Sequence, residues 1–303
     1  MDKTDSSNNG KIAIICPGQG SQTSGGITSL PQSAKGIFDR ASSLIGMDLW
    51  EAGLKSNQTF LAKPSFLQPF LVAWAVSELA AAREKDIQLP EPDFVLGHSS
   101  GENSALVISG AVEFEDAIEF ASQRGILLER ACLDDSTSLI AIAGIGRETV
   151  EDIAQKTHLH LANYNAADQL VLGGHSTNIK IALRLAETLG GRATILRVAG
   201  AFHSPFFESA DKNSLTLIDA LRINTSFIPM IGNARGQLIK DSAGIRDELN
   251  MQFTRPIEWV ESLQTAYTLG VRTVIVTGPG NAMAGLVRRF SRHLNNPISI
   301  IRL

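Results

Sequence analysis

The chain has 303 residues, 44% of them apolar and 19% charged, with a formal net charge of −4. That balance supplies enough apolar side chain for a sizeable core and argues against global disorder. It leaves no basic footprint for nucleic acid, and no run approaches the roughly 18 apolar residues that a membrane-spanning helix needs.

Residues 1–10 are polar and read as a flexible tail, neither a secretory signal nor an Arg-rich transit peptide. Strand 12–16 follows and is closed by Pro17-Gly18. Residues 70–82 carry apolar side chains at helical spacing and read as a buried helix. Strand 94–96 leads into Gly97-His98-Ser99-Ser100-Gly101-Glu102, and residues 103–108 open the next helix. Another helix is expected over 117–130. Strands separated by helices point to an α/β fold with a mostly parallel sheet.

The pattern then changes. Strand 139–145, helix 148–155, strands 158–164 and 169–173, helix 177–189 and strand 193–198 follow in turn. The order β-α-β-β-α-β is a ferredoxin-like signature. It is expected to form a compact insert, residues 137–200, between two parts of a larger domain, 11–136 and 201–303. The larger domain resumes with strand 227–231, helix 259–269, strand 273–276 and a helix over 283–290.

Two cysteines, Cys16 and Cys132, make no disulfide framework, and a reducing cytoplasm suits them. Cys16 reads as a small core residue. Among the six histidines, His158 and His160 alternate as strand neighbours would. No cysteine or carboxylate set completes a metal site around them, so no metal is expected.

A G-x-S-x-G between strand and helix is the sequence form of a nucleophile elbow. Gly97 and Gly101 remove side-chain bulk where the turn is tight, and the turn presents the Ser99 hydroxyl near a helix N-terminus. A serine hydroxyl needs a base to take its proton. His203, in Ala201-Phe202-His203-Ser204-Pro205, is the candidate, and the serine-before-histidine order matches the elbow hydrolases. No Asp or Glu between the two stands out as a third member. A dyad oriented by a backbone carbonyl would serve, because the third group need only fix the tautomer. The loop Pro17-Gly18-Gln19-Gly20-Ser21-Gln22 suits N–H groups aimed at an oxyanion. It lacks the lysine of a phosphate-cradling loop.

These motifs come in the order and spacing of malonyl-CoA:acyl carrier protein acyltransferases, which the chain resembles from about Ile12 to Arg289. Gln68-Pro69, Gln123-Arg124-Gly125, Asn163-Tyr164-Asn165, Gln252 four residues before Pro256, and Gly278-Pro279-Gly280 agree with it. The resemblance implies an α/β-hydrolase-like large domain with the ferredoxin-like small domain inserted. It implies that Ser99 takes the acyl group from coenzyme A and yields it to a phosphopantetheine thiol. His203 would act as base and then acid, with the Gln252 carbonyl orienting it. Backbone N–H groups of Gln19 and Ser100 would form the oxyanion hole. Arg124 would hold the malonyl carboxylate, and Phe202, Gln68 and Asn163 would line the substrate site. The role of Arg124 has its own logic, since a guanidinium grips a carboxylate with two parallel hydrogen bonds. Phe202 resembles the form associated with unbranched malonyl.

His98 reads as a buried imidazole packing the elbow, and Glu102 as an electrostatic support of the helix start. The sequence departs from the family at Ser100, where an apolar residue such as leucine is usual, and at Asn103, where an aromatic is common. Cys16, Ala167 and Gly173 also depart. The leading expectation is an S-malonyltransferase serving fatty acid or polyketide synthesis, with malonyl-CoA and an acyl carrier protein as partners. It would be a monomer without a permanently bound cofactor, coenzyme A entering only as the substrate thioester. An acyl-carrier-protein acyl hydrolase that clears stalled chains is the alternative. A catalytically silent docking module is a third reading.

Overall fold

The structure, a computed structural model, describes residues 10–20, 26–55, 63–85, 87, 89–132 and 136–303. Of the tail expected over residues 1–10, all but Gly10 lies outside them, and so do Ser21 and Gln22. The larger part is built on six strands: β1 (Lys11–Cys16), β2 (Phe94–Gly97), β7 (Met230–Ile231), β8 (Leu238–Ile239), β9 (Val271–Val276) and β10 (Ser299–Arg302). Their order is β10-β9-β1-β2-β7-β8. Every neighbouring pair is parallel except β7 and β8.

A parallel sheet needs cover on both faces, and its strands are apolar without alternation for that reason. Along β1, Ala13 and Ile15 enter one layer with Leu96, Val274 and Trp259. Ile14 and Cys16 enter the other, with Val95, Leu106 and Ile275. Cys16 is fully buried, and burial pushes its thiol up to about 12.

A third cluster joins α1 (Lys35–Ile45), α2 (Leu49–Leu54) and α3 (Pro64–Glu84) to α5 (Phe114–Cys132). Helix α3 starts six residues before the expected 70. Pro64 occupies the first turn, where its missing N–H costs nothing. Pro69 sits inside the helix, and Phe66, Leu67, Phe70 and Trp74 bury the chain on both sides of it. By length and composition this helix is apolar enough to cross a membrane, contrary to the sequence expectation. It is instead a core helix: 72% of its apolar window is buried inside the protein.

The smaller sheet contains β3 (Thr137–Ala143), β4 (His160–Ala166), β5 (Gln169–His175) and β6 (Arg192–Ile195), in the antiparallel order β4-β5-β3-β6. Helices α6 (Arg147–Thr157) and α7 (Ser176–Thr188) connect them. This is the ferredoxin-like arrangement, and its own core includes Ile140, Ile142, Val150, Leu170, Leu172 and Ile179. His158 does not share a strand with His160. It ends α6 in the left-handed conformation, φ 53°, and β4 begins after it. The expected strand 227–231 shrinks to β7, because Ile228 donates its N–H to Ser109 and not to the sheet.

The elbow joins β2 to α4 (Gly101–Ile108). A Cβ on Gly97 would lie 2.3 Å from the Glu102 nitrogen, and one on Gly101 2.3 Å from the Cys16 carbonyl oxygen. Both obstacles are backbone, so neither yields easily. Gly101→Ala is expected to destabilise the protein by about 1–3 kcal/mol through overpacking. A thermal midpoint equal to wild type would show that the elbow has slack.

Candidate active site

The elbow places Ser99 at φ 53°, a conformation that costs an L-residue strain. Asn233, just past β7, holds it there. The Ser99 N–H donates to Asn233 Oδ1 at 3.0 Å, and Asn233 Nδ2 donates to the Gly97 carbonyl at 2.6 Å. Asn233 has no signature in the sequence. It lies 134 residues from Ser99, and only the β2–β7 pairing brings it there.

Ser99 Oγ lies 2.7 Å from His203 Nε2. His203 Nδ1–H donates to the Gln252 carbonyl at 2.8 Å, which leaves Nε2 to accept the serine proton. Gln252 caps the C-terminus of α9 (Ser242–Met251), where helix carbonyls lack intrahelical partners. The negative end of that helix also favours an imidazolium. His203 is 6% exposed. Burial, and then the Arg124 cation, lower its pKa to about 3, so the free imidazole is neutral and ready to act as base.

Gln252 is fixed in turn by a buried acid. Its Nε2 donates to Glu102 Oε2, while Glu102 Oε1 accepts the Asn233 N–H at 3.0 Å. Burial and the nearby Glu248 carboxyl raise the Glu102 pKa well above the usual range. Glu102 therefore does more than support a helix start. It ties α4, the Asn233 turn and Gln252 together behind the dyad, and a charge reading based on its first-turn position missed this. Glu248, from α9, accepts the Ala234 N–H at 2.7 Å beside it.

Arg124, on α5, is 2% exposed. Its Nη1 donates to Gln68 Oε1 at 2.9 Å and its guanidinium lies 4.8 Å from the Phe253 ring centre. Its Nε has no hydrogen-bond partner among the described residues. No carboxylate among the described residues forms an ion pair with it. Burial lowers its pKa to about 10, so it stays charged at neutral pH. Gln68 Oε1 also accepts from Asn103 Nδ2 at 3.2 Å, so Asn103 braces Gln68.

The oxyanion loop shows one difference from expectation. The Gln19 N–H already donates, at 3.1 Å, to the Ser100 hydroxyl. The Ser100 N–H makes no hydrogen bond to the described residues. His98 is buried, with Nε2 2.8 Å from Asn165 Oδ1 and its ring edge-on to Trp259. Burial lowers its pKa, which fits a packing imidazole.

One cleft of about 420 Å³ collects these groups. Ser99, His203 and Gln252 line it with Gln19 and Ser100. Arg124, Gln68, Asn163 and Phe202 line it too, so the structure brings every sequence-predicted site residue to one place. Phe202 packs against Phe207 with ring centres 5.1 Å apart. The small sheet closes one side through Leu139, Ala141 and Val171.

A neutral imidazole on a strained serine, with the Ser100 N–H open and the Gln19 N–H held only by the Ser100 hydroxyl beside it, is a site for acyl transfer. The chain belongs to the acyl transferase family, whose domain model matches residues 13–233. It is 32% identical to a malonyl CoA-acyl carrier protein transacylase of Bacillus subtilis, covering 94% of this chain and 92% of that one. A polyketide biosynthesis malonyl CoA-acyl carrier protein transacylase of the same species is 30% identical, covering 93% and 97%. Among solved structures, the malonyl CoA-acyl carrier protein transacylase of Coxiella burnetii superposes with a TM-score of 0.89 at 30% identity, over 97% of this chain and 93% of that one. A malonyl-transacylase solved in complex with its type II polyketide synthase acyl-carrier protein gives 0.87 at 27% identity, over 97% and 96%.

Proposed function

We propose that this protein moves a malonyl group from malonyl-CoA to the phosphopantetheine thiol of an acyl carrier protein, through an acyl-enzyme on Ser99. The Ser99 oxygen attacks the thioester carbon and its proton passes to His203 Nε2. The tetrahedral oxyanion faces the N–H groups of Gln19 and Ser100. The carbon–sulfur bond breaks, and the coenzyme A sulfur takes the proton from His203. In the second half the carrier thiol gives its proton to His203 and attacks the ester carbon. Ser99 leaves with the proton returned.

The observation that carries this reading is the buried Arg124 guanidinium, which forms no ion pair among the described residues and lines the cleft that holds the Ser99–His203 pair. A buried charge without a counter-ion is costly, and the terminal carboxylate of a malonyl group supplies one. Its arrival also cancels the positive charge that opposes protonation of His203, so a malonyl substrate prepares its own base. An acyl hydrolase acting on uncharged chains has no use for that cation. Phe202 and Asn163 line the acyl end of the cleft. The setting is fatty acid or polyketide synthesis, with a cytoplasmic monomer that carries no permanent cofactor.

Intact-mass analysis after mixing with malonyl-CoA is expected to show one malonyl adduct, on Ser99, that disappears when a phosphopantetheinylated carrier is added. Ser99→Ala is expected to remove the adduct and lower turnover roughly 10⁴-fold or more. Folded wild-type protein without an adduct would reject the reading. An adduct released to water faster than to a carrier would favour the hydrolase.

A further inference from the structure

The geometry points to the Ser100 hydroxyl as a third hydrogen-bond donor to the oxyanion, an addition to the two backbone N–H groups. Ser100 precedes α4 with helical backbone angles, φ −58° and ψ −14°, and its side chain makes no capping bond to the helix. A capping serine normally has extended angles and bonds the second or third helical N–H. Here the hydroxyl turns to Gln19 instead, accepting its N–H at 3.1 Å. Ser100 is 3% exposed and lines the cleft beside Ser99. Its own O–H proton has no acceptor among the described residues.

A buried hydroxyl whose proton lacks an acceptor is an incomplete group awaiting an oxygen. An acyl oxygen bonded to the Gln19 and Ser100 N–H groups lies next to the hydroxyl held on that same Gln19 N–H. In the resting enzyme the hydroxyl satisfies the Gln19 N–H. When charge develops on the acyl oxygen, the Gln19 N–H turns to it, and the hydroxyl changes from acceptor to donor. No proton is transferred in this step. The bond strengthens because its acceptor has become an anion. The inference rests on the acyl-serine reading of Ser99 and is independent of which acyl group is carried.

The test is single-turnover acylation by malonyl-CoA, followed by rapid quench and mass analysis, together with the infrared carbonyl band of the acyl-enzyme. Ser100→Ala is expected to slow acylation about 10- to 100-fold, leave malonyl-CoA affinity unchanged, and move the ester carbonyl band to higher frequency. Ser100→Thr, which keeps the hydroxyl, is expected to retain most of the rate and the wild-type band. Ser100→Gly serves as a second hydroxyl-free variant if the alanine protein does not fold, since glycine is tolerated before a helix. Hydroxyl-free variants that acylate as fast as wild type or faster, with an unmoved band, overturn the proposal and make the hydroxyl an occupant of the hole. Wild-type protein that takes no acyl group on Ser99 removes the acyl-serine reading as well, so the two failures are distinct.

Discussion

Arg124→Ala is expected to lower malonyl transfer by about two to four orders of magnitude, from the roughly 3–5 kcal/mol lost when one partner of a buried charge pair is removed. Transfer of an uncharged acyl group, such as acetyl, is expected to be spared or improved. The asymmetry follows from the side chain's surroundings. Arg124 is buried, bonded to Gln68, stacked on Phe253 and within ion-pair distance of no carboxylate among the described residues, the Glu102 carboxyl acting on it only from farther off. An acetyl group leaves that charge uncompensated, and a malonyl group does not. The variant also has a signature in pH. Burial is the larger cause of the lowered His203 pKa and the Arg124 charge the second. Removing the charge raises the His203 pKa without restoring its ordinary value, so the acid limb of kcat/KM for the uncharged substrate moves to higher pH. Equal losses for both acyl groups, with no movement of the limb, would make the arginine a packing residue.

His203→Ala is expected to cost about 10²–10⁴-fold in both half-reactions, the range for a positioned general acid–base group. The loss should fall on kcat with little change in malonyl-CoA affinity, because the imidazole acts on the proton of Ser99 rather than on the coenzyme. Stopped-flow release of coenzyme A measures the first half and carrier labelling the second. Loss in one half alone would contradict a single base serving both thiols. The wild-type acid limb should lie well below the pH 6.5 of an ordinary histidine, since the free imidazole titrates near 3. The same shift bears on stability. The folded pKa is below the unfolded one, so this contribution is complete above about pH 6.5 and is lost as pH falls from there towards 3.

The strand–helix alternation was legible because parallel strands such as β1 and β9 end in short apolar runs, 12–16 and 274–276, closed by glycine and proline turns. The ferredoxin-like unit was legible from its order of elements, which local pattern alone reveals. Less visible were α1, α2, α8 (Glu208–Ala220) and α9, which are short or carry narrow apolar stripes, although Gly46 after α1 and the capping aspartates Asp48 before α2 and Asp241 before α9 mark their ends. The start of α3 was obscured by Pro69, which ends most helices but here lies where buried neighbours outweigh one missing bond.

The residues proposed to do chemistry carried short-range marks. Ser99 sits between glycines that no side chain can replace without striking backbone, His203 follows it in hydrolase order, and Arg124 is named by its resemblance context. Local sequence therefore marked the candidate reacting groups and the fold class that presents them, because turn geometry and hydrophobic period are properties of neighbouring residues. Tertiary structure alone decided how those groups are held. Asn233 on the Ser99 N–H, Glu102 on Gln252, and the Ser100 hydroxyl on Gln19 each join segments more than 80 residues apart. Such contacts depend on strand order and helix docking, and a burial that sets the pKa of His203 or leaves Arg124 unpaired exists only once the chain has closed around it.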